Sequence, residues 1–317
     1  MQRYLARRLL QLIPTLFVAS VMIFCILQLA PGDPAVIMLG FEATPEQLEA
    51  ERARLGLDKP IPVRYLIWLS DVVKLNLGRS LINGRPVVTL LANAFPNTLR
   101  LALTALVVSV VAGLAMGILS ALKQNSWIDS LITAFSSLAL AVPGFWLGIL
   151  MILLFSVRLR WLPPSGVGDL DKGFIYDLRY LIMPVLSLAF AQAAVFSRYT
   201  RSALIDVMSA DYIRTARAKG LAERAVVQRH ALKNAMIPVV TIIGIQAGRL
   251  LGGAVIVEAV FAYSGMGRMV VLAIMNRDTP VVQAALMLVV CIFLLTNLVV
   301  DLLYAYLDPR VKFERAE

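Results

Sequence analysis

The densest group of side chains able to do ionic chemistry lies between Asp206 and Pro238, in the stretch DVMSADYIRTARAKGLAERAVVQRHALKNAMIP. From Asp206 to Lys233 it carries Arg214, Arg217, Lys219, Arg224, Arg229 and Lys233 against Asp206, Asp211 and Glu223. Guanidinium and ammonium groups at this density suit charge-assisted hydrogen bonds to carboxylate or phosphate, not covalent catalysis. Elsewhere the reactive inventory is thin. Cys25 and Cys291 sit inside apolar runs, and His230 cannot build a metal cluster with them, so no metal site is expected. No Gly-x4-Gly-Lys-Ser/Thr string occurs, so ATP-driven work would have to come from a partner. Arg249 is the one basic residue well inside an apolar block, where a charge costs roughly 2.5–3.5 kcal/mol on insertion scales. It would either line a path and meet a carboxylate, or serve structurally, for example by pairing with Glu258.

Two short amphipathic helices would position the basic stretch. Apolar residues recur at helical spacing, first Ile205, Met208, Tyr212 and Ala216, then Leu221, Ala225, Leu232 and Met236. Gly220, directly after Lys219, would stop one helix in the left-handed region and redirect the chain. Three readings compete. The loop could be basic only because inner loops of membrane proteins are. A nucleic-acid patch fits less well, because no aromatic platform is interleaved with the charges. The sharpest reading is a helix–glycine–helix knob gripped by a soluble partner.

The chain around this loop is that of an integral membrane protein: 317 residues, 59% hydrophobic and only 16% charged, with mean hydropathy +0.79. Its net charge of +10 then concerns topology and partner contact. A first span runs from Leu9 to Ala30, behind Arg3, Arg7 and Arg8. Residues 31–96 form a polar region outside, with a capping box at Thr44-Pro45-Glu46-Gln47, a stop at Gly56, an amphipathic helix around Trp68 and a turn at Asn83-Gly84. Five further spans are expected at Leu101–Leu122, Ser130–Val157, Tyr180–Ser197, Ala235–Val257 and Thr279–Val300. Pro143-Gly144 should kink or unwind the third of the six. Gly244, Gly248, Gly252 and Gly253 form a small-residue stripe fit for close helix packing. Six spans place both termini in the cytoplasm, which Lys123, the basic loop, Arg310, Lys312 and Arg315 support. No pair of intramembrane carboxylates appears, which weakens a gradient-driven carrier, the rival class.

The basic loop resembles the coupling loop of permease subunits of ATP-binding-cassette (ABC) importers. Against that family's Glu-Ala-Ala, three residues, Gly pattern stand Arg214-Thr215-Ala216, Arg217-Ala218-Lys219 and Gly220. Arg214 replaces the acid, and Lys233 stands near the usual proline; this variant is similar to the peptide/nickel branch. Pro31-Gly32-Asp33-Pro34, Phe145-Trp146-Leu147-Gly148, Gly265-Met266-Gly267-Arg268, Arg277-Asp278 and Asp308-Pro309-Arg310 extend the resemblance over nearly the whole chain, with Tyr263-Ser264 in place of the usual Trp-Pro. It implies an all-α membrane protein of six transmembrane helices with the type I importer permease fold. The first helix (1–30) would be followed by an extracytoplasmic loop domain (31–96). A five-helix core (97–305) would carry the coupling loop at 206–235 and end in a cytoplasmic tail (306–317). It further implies a homologous second permease, two cytoplasmic ATP-binding subunits holding ATP and Mg, and an extracytoplasmic substrate-binding protein, all at a bacterial inner membrane. It implies no nucleic-acid partner, no cofactor in this chain and no enzyme activity of its own. The imported substrate would be a dipeptide or oligopeptide, with glutathione or nickel as alternatives. Coupling to the ATPases would fall to Arg214, Thr215, Ala216, Arg217, Gly220, Leu221, Glu223 and Arg224, and a translocation path to Arg249, Pro143 and Glu258.

Overall fold

A computed structural model of the chain describes residues 2–29, 32–40 and 42–307. The expected end of the first span at Ala30, Pro31 of the motif after it, and Arg310, Lys312 and Arg315 of the tail lie outside the described residues. The described residues are helical nearly throughout and hold no β-sheet, only an isolated bridge between Arg79 and Pro86. Five helices are long and apolar enough to cross a membrane. A pair bent by 97° makes a sixth when counted as one span.

The chain divides into two units, 1–98 with 264–295, and 99–263 with 296–317. In the first, α1 (Gln2–Gln28) is the leading span. Asp33 caps the short α2 (Pro34–Leu39) by accepting the Ala35 N–H at 3.0 Å. The expected capping box opens α3 (Pro45–Arg54): Thr44 Oγ1 accepts the Gln47 N–H, and Gln47 Oε1 accepts the Thr44 N–H. Next, α4 (Ile61–Val73) lies against α1, with Trp68 and Tyr65 packed on Phe24 and the Tyr65 hydroxyl 2.8 Å from Ser20 Oγ. The helix α5 (Val87–Leu122) begins well before the expected Leu101, so the boundary expected at 96/97 falls inside it. Pro96 does not end it, because Val87, Leu91 and Ala94 are buried against Met266, Val270, Val281 and Val282. Two of those belong to α12 (Met266–Met275), a short apolar helix absent from the sequence reading, and two to α13 (Thr279–Leu307). The turn at Asn83-Gly84 is held by Asp278, whose buried carboxylate accepts from the Ser80 hydroxyl and from the Leu81 N–H.

In the second unit the third span breaks where Pro143-Gly144 predicted: α6 (Trp127–Ala141) stops, and α7 (Gly144–Met151) restarts and widens into a π-helical segment, Ile152–Arg158. Breaking a helix frees backbone groups that lipid cannot satisfy. Here Ser187 Oγ donates to the Gly144 carbonyl at 2.6 Å, so the repair comes from α8 (Phe174–Met208). Against α8 pack α6, α7 and α11 (Leu232–Val260). The core joins Leu101, Met151, Leu181, Met183, Leu250, Ala254 and Phe261. Close crossing of α5 and α8 depends on Gly113 and Gly117, where an added Cβ would come within 2.6 Å of Phe196 and of Thr200.

Candidate functional site

The basic stretch forms a knob. After Met208 the chain breaks at Ser209 and Ala210, then restarts as α9 (Asp211–Ala218), with Ala210 extended at ψ 148°. Lys219 ends α9 and Gly220 follows at φ +77°, so the predicted left-handed glycine stop is present. Nothing lies within 4 Å of a Cβ added at Gly220; the requirement for glycine there is conformational, not steric. Beyond it, the second helix is not a separate short one. The turn α10 (Glu223–Ala225) runs through a π-helical segment, Val226–Ala231, directly into α11. The far side of the knob is therefore the start of the fifth span.

Apolar burial fixes α9. Ile213 and Ala216 enter a cluster with Leu204, Val226, Ala231 and Ala235, and burying a side chain the size of Ile213 contributes about 1.5–3 kcal/mol. The stripe expected through Tyr212 and Leu221 is displaced: both are exposed, at 44% and 43%. The break at Ser209 and Ala210 resets the helical phase, so a period counted from Ile205 does not continue into α9. Tyr212 instead ties α9 to α11, its hydroxyl accepting from Asn234 Nδ2 at 3.0 Å.

Arg214, Thr215, Arg217, Gly220, Leu221, Glu223 and Arg224 are exposed, and Ala216 is buried. Thr215 Oγ1 donates to the Asp211 carbonyl, and Arg214 lies 3.4 Å from the Asp211 carboxylate. Arg217 and Glu223 form a fork across Gly220, Nε to Oε2 at 3.1 Å and Nη2 to Oε1 at 2.7 Å. Donating to the Glu223 carboxylate raises the Arg217 pKa above its already high ordinary value, so the charge persists at any physiological pH. With its partners 42% and 58% exposed, such a pair contributes only about 0.2–1 kcal/mol. Its effect is angular: it sets how α9 and α10 meet. Behind them lies a cleft of about 770 Å³ that Arg217, Glu223 and Arg224 share with Ile118, Met208 and Leu232.

A second polar assembly stands at the base of the knob, and sequence reasoning missed it. The buried Asp129 accepts from Arg201 Nε at 2.7 Å and Nη2 at 2.8 Å, from Ser120 Oγ at 2.5 Å and from the Asn125 N–H at 3.0 Å. It thereby joins the end of α5, the α5–α6 turn, α6 and α8. The signal in the sequence was an Asp directly before one expected span and an Arg shortly after the next.

The three residues assigned to a path are not brought together. Pro143 caps α7 at the break. Glu258 is fully buried, near Tyr263. Arg249 is exposed on α11 and its side chain has no hydrogen bond or ion pair among the described residues, so the pairing with Glu258 offered as one alternative is absent. Ile245, Gly252 and Ile256 share its exposed face.

Six apolar spans, one of them broken, with a basic helix–glycine–helix knob between the fourth and fifth, define a permease subunit of an ABC importer. A chain of the methionine ABC transporter MetNI in an inward-facing form has the same fold: TM-score 0.60 at 19% identity, covering 71% of this chain and 99% of that one. A chain of an amino acid ABC transporter aligns with TM-score 0.51 at 16% identity, covering 71% and 95%. The chain belongs to the family of binding-protein-dependent transport system inner membrane components, which it matches over residues 113–313, with the N-terminal component of the same systems matched over 1–102. It is 44% identical over 314 residues, 99% of this chain and 100% of the relative, to a glutathione transport system permease protein of Escherichia coli O6:H1. The corresponding protein of strain K12 is 43% identical over the same shares. The protein is thus a multi-pass inner-membrane permease subunit.

Proposed function

We propose that this permease passes short peptides inward, with glutathione, itself a small peptide, the first substrate to test. The observation that carries the substrate class is the full-length identity of 44% to a glutathione transport system permease protein. In this reading a homologous second permease completes the pore, two cytoplasmic subunits bind ATP and Mg and hydrolyse the nucleotide, and an extracytoplasmic protein delivers the substrate. The chain performs no covalent chemistry. Both termini and the knob face the cytoplasm, and residues 32–86 face outward.

The knob supplies the lever. An ATPase surface gripping Arg214, Lys219 and Arg224 would move α9, and the Tyr212–Asn234 bond and the unbroken helix from Glu223 carry that displacement into α11. Arg249 rides on that helix as an unpaired cation within an apolar span, suited to a substrate carboxylate. Pro143 and Gly144 give the third span a bend that can change angle. Sealed vesicles with ATP trapped inside and the binding protein outside test the reading. Labelled glutathione or dipeptide should accumulate only with both present. Accumulation driven by an ion gradient without ATP would instead identify a carrier.

A further inference from the structure

At the end of the first span, a pocket of about 370 Å³ lies within the first unit, between the last turn of α1, the Gly32–Pro34 connection, α3, α4 and the start of α13. Three guanidiniums line it: Arg52, Arg64 and Arg277. Its one carboxylate, Asp33, is already taken by Arg52, Nη2 to Oδ2 at 2.6 Å. Among the described residues, the guanidiniums of Arg64 and Arg277 have no hydrogen-bond or ion-pair partner, although both residues' backbones are hydrogen-bonded. Arg64 is half-buried, and that burial lowers its pKa from the ordinary guanidinium value. The pocket is built around Arg277: a Cβ at Gly32, which sits at φ +130°, would lie 2.5 Å from Arg277 Nη1. Glycine at 32 is required by its own backbone angle and also leaves room for the guanidinium. Two guanidiniums without a counter-charge at their side chains, Arg64 partly desolvated and Arg277 exposed at the pocket, suit an anion.

The surroundings say which anion. The pocket opens where two apolar spans terminate, α1 at Gln28 and α13 at Thr279, the level at which lipid phosphates lie. Leu27, Ile37, Ile274 and Val282 line its other walls with Gln28 and Thr279, and beside it Leu29 and Met275 are 83% and 75% exposed. A cationic floor with a greasy rim at a span end matches an amphiphile, headgroup inward and chains along α1. We propose that Arg64 and Arg277, with Gly32 making room, hold the phosphodiester headgroup of an anionic phospholipid.

Native mass spectrometry of the purified full-length chain, offered phosphatidylglycerol and phosphatidylcholine of matched acyl chains, tests this. The chain should retain phosphatidylglycerol preferentially, and the Arg64→Gln/Arg277→Gln double variant should lose that preference by about tenfold. Gly32→Ala keeps every charge but displaces Arg277, and should weaken phosphatidylglycerol retention as well. Arg85→Gln, which removes a positive charge elsewhere, should not. If the double variant does not fold, judged by its melting temperature in phosphatidylcholine, Gly32→Ala decides alone. Equal retention of the two lipids, or undiminished preference in the Gly32→Ala protein, would overturn the proposal. Displacement of the lipid by millimolar inorganic phosphate or glutathione would also overturn it, marking a site for soluble anions.

Discussion

Single side chains in this protein divide by what they face. Arg217 was expected to reach outward to a partner, yet it folds back on Glu223, a contact invisible in sequence because the hinge between them had no known angle. The two roles separate by charge swap. Arg217→Glu should weaken ATPase-subunit binding in a salt-dependent way, and adding Glu223→Arg should restore the internal pair. Binding that recovers in the double variant, measured against ionic strength, makes the pair a positioning device; binding that stays weak makes Arg217 a direct contact. Arg249 is the opposite case, a cation whose side chain has no ionic partner among the described residues. Arg249→Ala should impair uptake while leaving assembly intact, and Arg249→Glu should be worse for an anionic substrate; loss of assembly with normal residual transport would make the residue structural. Tyr263 is fully buried and its hydroxyl has no hydrogen-bond partner among the described residues. Burial is the main cause pushing its pKa up to about 12, with Arg100 opposing and Glu258 adding. The fold therefore favours the neutral phenol, a preference fully present below the unfolded value near 10 and lost as pH rises through about 12. An unsatisfied buried hydroxyl costs about 1–3 kcal/mol, so Tyr263→Phe should hold or raise the melting temperature; a drop of several degrees would reveal a missed partner.

Elements were legible in the sequence where their signals are local. Thr44 to Gln47 is a capping box within four residues, Gly220 needs only its own backbone, and Pro143-Gly144 breaks a helix wherever it occurs. Elements held by distant contacts were not legible. The early start of α5 at Val87 depends on burial against α12 and α13, far along the chain, whereas Pro96 and Arg100 argued locally for a later start. The α5–α8 crossing could have been read, since Gly113 and Gly117 stand four apart in an apolar span. Asp129 and Arg201 are 72 residues apart, and no periodicity links them. Removing one partner of a buried ion pair costs about 3–5 kcal/mol, and the lower end applies here because Arg201 is 32% exposed. Asp129→Asn should therefore lower the melting temperature of the detergent-solubilised chain distinctly more than Arg214→Gln; equal effects would mean that the network contributes no stability.

At the scale of the whole molecule, the account is that a soluble motor moves the knob and the knob moves a span. Sidedness comes first: a cysteine placed at Glu46 should label in intact cells and one at Ala222 should not, with the reverse pattern inverting the topology. The most direct measurement is uptake by the assembled complex carrying Gly220→Val. A side chain at φ +77° strains the backbone by about 1–2 kcal/mol, too little to unfold six spans but enough to tilt α9 against α10. The account predicts a variant that inserts and pairs with its sister subunit normally, yet shows neither substrate-stimulated ATP hydrolysis nor uptake. Normal ATP-driven uptake by the Gly220→Val complex would contradict it and leave the knob an ordinary basic linker.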